Sequence, residues 1–115
     1  MKGTVNCYQD AYNHLLNFNG AYAFVGDWKL CHGVATLAMG PNKGREYGHA
    51  WIETDTVVFD QDIVIIKSVY YRIGKIRNVR RFKLKEALEF SLREKHFGPW
   101  DNPAIDKAEE WITEE

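Results

Sequence analysis

Three residues of complementary chemistry occur in a telling order: Cys7 at the start of a helical pattern, His49 within Gly48-His49-Ala50-Trp51-Ile52-Glu53, and Asp60 at the end of Val57-Val58-Phe59-Asp60. A thiol at a helix start is biased toward thiolate by the unpaired N–H groups and the helix dipole. An imidazole can take its proton and return it, and a carboxylate can fix the imidazole's tautomer. These are the parts of a thiol hydrolase or acyltransferase. No metal, phosphate or dinucleotide motif competes on comparable terms.

Alternation along the His49 segment puts His49, Trp51 and Glu53 on one face and Ala50 and Ile52 on the other. Trp51 would wall the imidazole off from water. Asp60, on the neighbouring strand across a short turn, is within reach of the second ring nitrogen; Asp62 is its rival, less surely on a strand. The helix-start N–H groups beside Cys7 could hold an oxyanion. His32 either lines the same cleft or is an ordinary hydrogen-bonded histidine, and Cys31 points to the opposite face, into the core.

The elements that must position these groups follow from periodicity. Tyr8, Ala11, Tyr12, Leu15 and Leu16 recur at helical spacing and Asn19-Gly20 offers a C-cap, so a first helix runs from Cys7 to about Phe18. Gly20 to Asp27 reads as a packed connection. From Trp28 to Met39 the pattern is strand-like, with Leu30, His32 and Val34 on one face and Cys31, Gly33 and Ala35 on the other, until Gly40-Pro41-Asn42-Lys43-Gly44 breaks it. Strands over Tyr47 to Glu53 and Val57 to Asp60, joined by Thr54-Asp55-Thr56, make an antiparallel meander. Ile63 to Ile66 is open between a buried strand and a packed loop. Ser68 to Lys75 reads as a short helical turn and Ile76 to Phe82 as a basic stretch. Two helices close the chain: Lys85 to His96, with Ala87, Leu88 and Leu92 inward, and Pro103 to about Thr113, with Asn102 as N-cap.

The chain has 115 residues, 45% hydrophobic and 27% charged, which fits one domain with a single core and excludes disordered and collagen-like classes. A net charge of -1 provides no global drive toward nucleic acid or anionic membrane. The local basic run Lys75, Arg77, Arg80, Arg81, Lys83 and Lys85 could contact phosphates, but Lys and Arg also keep an edge strand from unwanted pairing, and that reading is favoured. The acidic tail Glu109, Glu110, Glu114 and Glu115 reads as a solvated helix face. With two cysteines, no apolar leader and no run long enough for a bilayer, the expectation is a cytoplasmic protein, bacterial or in a phage-infected host cell, with reduced thiols rather than a Cys7–Cys31 disulfide. Cys7, Cys31, His32, His49 and Asp60 could be assembled into a zinc site, yet they lack paired ligand spacings and adjacent Cys31 and His32 face opposite sides of a strand, so no metal is expected.

On Cys7, Gly48 to Glu53 and Val57 to Asp60, the sequence resembles the papain-like superfamily of thiol enzymes, whose smaller members include NlpC/P60-type amidases, bacteriocin-processing peptidases and transglutaminase-like proteins. It also looks like small phage-encoded proteins combining an Asn-Cys start, a His-Gly strand, Gly-His-Ala-Trp and a late Gly-Pro-Trp, here Asn6-Cys7, His32-Gly33, Gly48 to Trp51 and Gly98-Pro99-Trp100. The resemblance implies nucleophile Cys7, base His49 and orienting acid Asp60. One departure matters: papain-type enzymes carry an oxyanion-hole Gln upstream of the cysteine, and none precedes Cys7 here. The hole would come from the Cys7 N–H plus a side chain such as Asn6 or Gln9.

The expectation is therefore an α+β domain with a papain-like core, an N-terminal helix packed on a small antiparallel sheet, and two C-terminal helices. Its function would be cofactor-free hydrolysis or acyl transfer at an amide, isopeptide or thioester bond of a peptide, protein or small amide. The alternative is a non-catalytic interaction or inhibitor protein on a degenerate version of that fold.

Overall fold

The computed structural model describes residues 6–21 and 27–108. The protein is α+β. The first helix, α1 (Cys7–Ala21), starts where it does because Asn6 caps it: its Oδ1 accepts the backbone N–H of Tyr8 and of Gln9, each at 3.1 Å. Tyr8, Ala11, Tyr12 and Leu15 form its buried stripe while Leu16, from the same spacing, is 38% exposed at its border, and the helix runs past Phe18 to Ala21.

Five strands follow: β1 (Lys29–Thr36), β2 (Glu46–Glu53), β3 (Val57–Asp60), β4 (Ile63–Ile66) and β5 (Arg77–Phe82). They form one antiparallel sheet in the order β4-β3-β2-β1-β5. The helix α2 (Lys67–Gly74) interrupts the strand sequence, and α3 (Leu84–Glu94) and α4 (Pro103–Ala108) close the described chain. The expected connection over Gly20 to Asp27, the expected continuation of the last helix to about Thr113 and the acidic tail lie wholly or partly outside the described residues.

Side-chain alternation divides the sheet into two packed faces. Leu30, Ala50, Ile52 and Phe82 join the stripe of α1, Ala87 of α3 and Trp100 in the main core. Cys31, Trp51 and Val58 point the other way, against Tyr70 and Tyr71 of α2. The second face also holds a buried carboxylate. Glu53, 2% exposed, accepts from Trp51 Nε1 at 2.9 Å, Tyr71 OH at 2.8 Å and Arg81 Nε at 2.8 Å, and Lys67 Nζ lies at 2.8 Å. Burial pushes its pKa up, but these donors prevail and hold it down at about 2.

Two expectations need correction. The apolar run Ile63 to Ile66 is neither a buried strand nor a packed loop but the exposed edge strand β4, with Ile63, Val64 and Ile66 at 63%, 62% and 61% exposure. A tight turn with positive φ at Gln61 (51°) and Asp62 (69°) folds it back on β3 as the last strand of the sheet, where no layer covers those three side chains. In α3, Leu88 and Leu92 point outward, 38% and 77% exposed, while Leu84 and Phe90 pack with buried Ala87. The helix begins at Leu84, with Glu86 Oε1 accepting the Lys83 N–H at 2.8 Å, and that start sets the 84/87/90 stripe inward.

The basic run lies on the opposite edge strand, β5. Its arginines are engaged locally: Arg77 with Glu46 at 2.6 Å, Arg80 with Asp101 at 2.8 Å and Arg81 with Glu53 at 2.8 Å. No helix among the described residues is long and apolar enough to cross a membrane.

Candidate active site

The β2–β3 ladder is short. It holds only Ile52–Phe59 and Glu53–Val58, so beyond Ile52 the two strands part. The N-terminus of α1 meets that opening: Cys7 lines a narrow crevice there with Asp10, His14, Ala50, Trp51 and Phe59. A residue carried on the main-core side of the sheet can thus address an imidazole carried on the other side. Cys7 is half-buried and Cys31 fully buried, and both thiols are free.

His49 Nε2 lies 2.7 Å from Asp60 Oδ2, with side-chain exposures of 12% and 18%. The second ring nitrogen, Nδ1, is then the one available to sulfur. Burial alone would favour a neutral ring. The hydrogen bond to Asp60 and the hydrogen bond with the Cys7 side chain outweigh it and raise the His49 pKa from 6.5 to about 9. At neutral pH the ring is an imidazolium between the Asp60 carboxylate and the Cys7 sulfur. Burial likewise pushes the Asp60 pKa up, but the bonds from His49 and Tyr70 and the nearby His14 bring it below 3.8.

Trp51 lies beside the imidazole. Its ring stacks beside that of His49 (centroids 6.0 Å apart, 28° between planes), it is 1% exposed, and its indole N–H is anchored on Glu53. Asp60 rather than Asp62 meets the imidazole, because Asp62 falls in the positive-φ turn and is exposed.

The other residues singled out from the sequence are placed differently. Asn6 spends its side-chain oxygen on the helix cap, so the Tyr8 and Gln9 amides are occupied too. Gln9 is exposed on the first turn of α1. His32 does not reach the cleft: it is 0% exposed among Tyr8, Phe82 and Trp100, with ring centroids all 5.1 Å away. Neither of its nitrogens has a hydrogen-bond partner among the described residues, and burial, aided by Arg80 and His96, lowers its pKa to about 3. It is a neutral ring in an aromatic cage. Cys31 lies in the second core, where burial and the nearby Glu53 push its thiol pKa well up. Cys31 and His32 lie in separate cores, and among the described residues no group of three His, Cys, Asp or Glu side chains is placed to hold a metal ion.

Three participants escaped the sequence reading. Tyr70 of α2 donates its hydroxyl to the same Asp60 Oδ2 at 2.6 Å, so one carboxylate oxygen receives both the imidazole and a phenol. Gln61 lines both the Cys7 crevice and the cleft beside His49. His14 stacks edge-on against Phe59 at 4.8 Å. Only His14 left a trace in the sequence, since Cys7, Ala11 and His14 follow the i, i+4, i+7 spacing of one helix face. No protein-family model, curated protein or solved structure matches the chain.

Proposed function

We propose that this protein is a cysteine-dependent hydrolase or acyltransferase on a papain-like α+β core, acting on an amide, isopeptide or thioester bond of a peptide, protein or small amide. The supporting observation is a buried His49 bonded through Nε2 to Asp60 and linked on its remaining side to Cys7. A structural histidine needs no such pair of partners, whereas a nucleophile, its proton carrier and an orienting group do.

In this reading the Cys7 sulfur attacks the carbonyl carbon, forming an S–C bond and an oxyanion. The imidazolium gives its Nδ1 proton to the leaving amine or thiol as the C–N or C–S bond breaks, which leaves an acyl-thioester and a neutral ring. The ring then takes a proton from water or an acceptor amine as that group attacks the thioester, and the thiolate departs. Asp60 keeps Nε2 protonated throughout, held in turn by Tyr70. We assign the Cys7 N–H and the Gln61 carboxamide to the oxyanion, because the Tyr8 and Gln9 amides are taken by Asn6.

Iodoacetamide near pH 7 tests this. Cys7 should be alkylated faster than free glutathione while buried Cys31 stays unmodified, and Cys7→Ser should abolish labelling with the fold intact. Labelling no faster than glutathione, or persisting in Cys7→Ser, refutes the proposal and leaves a non-catalytic interaction protein as the reading.

A further inference from the structure

We infer that the cleft on the far side of His49 and Asp60 is a substrate pocket that takes an uncharged aliphatic or aromatic side chain of the group transferred to Cys7. The inference rests on the thiol-enzyme reading above and adds to it a substrate class.

Two cavities of about 340 Å³ and about 150 Å³ meet there, sharing Tyr47, His49, Asp60, Ile65 and Tyr70. The larger adds Ile63 and the smaller adds Ile73 and Ile76. The larger volume falls within the range of small-ligand sites and suits one side chain with its flanking backbone. Ile63 and Ile73 stand 63% and 57% exposed, large aliphatic groups on two different elements, β4 and α2, turned toward one hollow. Adjacent exposed apolar groups around a concavity mark a surface that something covers.

Charge narrows the occupant. Among the described residues, the only ionised groups in the walls are His49 and Asp60, and they neutralise each other at 2.7 Å. The Tyr47 and Tyr70 hydroxyls are held protonated, by burial first and by Asp60 next. A charged side chain entering here would lose its hydration and find no counter-ion. The pocket also adjoins the crevice that Cys7 lines, since Asp60 and Gln61 form walls of both. A group bound in it is therefore held next to both the nucleophile and the proton carrier.

The test compares Cys7 alkylation of the full chain by iodoacetamide, N-benzyl iodoacetamide and N-(carboxymethyl) iodoacetamide. Each rate is divided by that reagent's rate with glutathione, and the site is confirmed by mass spectrometry. The benzyl reagent should show a normalised advantage of about tenfold over iodoacetamide, the anionic reagent none. The double substitution Ile63→Ser with Ile73→Ser, both at exposed positions, should cut that advantage over iodoacetamide at least roughly threefold. Equal normalised rates for all three reagents, or an advantage that survives the double substitution, overturns the pocket while leaving fast iodoacetamide labelling, and so the enzyme reading, in place. If iodoacetamide labelling itself is no faster than glutathione, the enzyme reading falls. The pocket is then read in Cys7→Ser by titrating N-acetylphenylalaninamide against the Ile63 and Ile65 methyl resonances, and unmoved methyls overturn it.

Discussion

Asp60→Asn isolates what holds His49 charged. The His49 ring is almost buried, at 12% side-chain exposure, and burial alone favours its neutral form. Its rise from 6.5 to about 9 is worth about 3 kcal/mol of preference for the imidazolium. Asp60 supplies both a hydrogen bond and a charge to that preference, and Cys7 supplies the remainder. A carboxamide removes the charge while keeping the size of the group. The His49 midpoint should fall to near or below 6.5, which an NMR titration of the ring proton reads directly. At pH 7 the ring becomes largely neutral, and Cys7 alkylation by iodoacetamide should drop at least roughly tenfold because the sulfur loses its cationic neighbour. Stability follows the same pair. The His49 share is complete below 6.5 and is lost as pH rises through about 9, and the Asp60 share is complete above 3.8 and is lost as pH falls through its lowered value. The difference in unfolding free energy between the native and substituted chains should therefore peak between pH 3.8 and 6.5. A His49 midpoint that stays near 9 in Asp60→Asn would refute this account, since the carboxylate would not be the source of the raised value.

Tyr70→Phe removes the second donor from the same carboxylate oxygen, leaving more negative charge for the imidazolium, so the His49 midpoint should move up rather than down; a fall on NMR titration would show that Tyr70 does not act through Asp60. Because His32 is neutral in its cage at about 3 but titrates near 6.5 when unfolded, the native chain should lose stability as pH falls below 6.5. His32→Phe should reduce that loss by about 2 kcal/mol between pH 7.5 and 5, measured by urea unfolding at the two values; an unchanged pH dependence would contradict the caged neutral ring. Glu53→Gln removes the buried charge and leaves Arg81 and Lys67, 42% and 27% exposed, facing a neutral group, so it should cost about 1–3 kcal/mol, seen as a lower urea midpoint with alkylation of Cys7 retained in the folded fraction; a cost below about 0.5 kcal/mol would mean the network contributes little.

The elements were legible because local rules govern them. Asn6 before a 3–4 apolar stripe starts α1, two-residue alternation sorts His49, Trp51 and Glu53 from Ala50 and Ile52, and Asn102-Pro103 opens α4. The approach of Asp60 to His49 was legible for the same reason, since the two strands are joined by a short turn and both side chains fall on one face. What periodicity could not show was which layer would cover each face. An apolar strand reads alike whether buried or at an edge, so the exposure of Ile63, Val64 and Ile66 depended on β4 ending the sheet. His32 alternates like a cleft residue, yet Tyr8, Phe82 and Trp100 arrive from three distant segments to seal it. Tyr70 carries no local sign of its role, because only the docking of α2 sets its hydroxyl on Asp60.

By itself, then, the sequence determined the order of most elements, the face each side chain takes along β1 and β2 and the chemical types available to a thiol site, because those depend on neighbours within a few residues. Only the tertiary structure decided that β2 and β3 separate after Ile52, admitting the start of α1 so that Cys7 and His49 address one another from opposite sides of the sheet. Where a ladder ends depends on the packing of both faces at once, which no local pattern records.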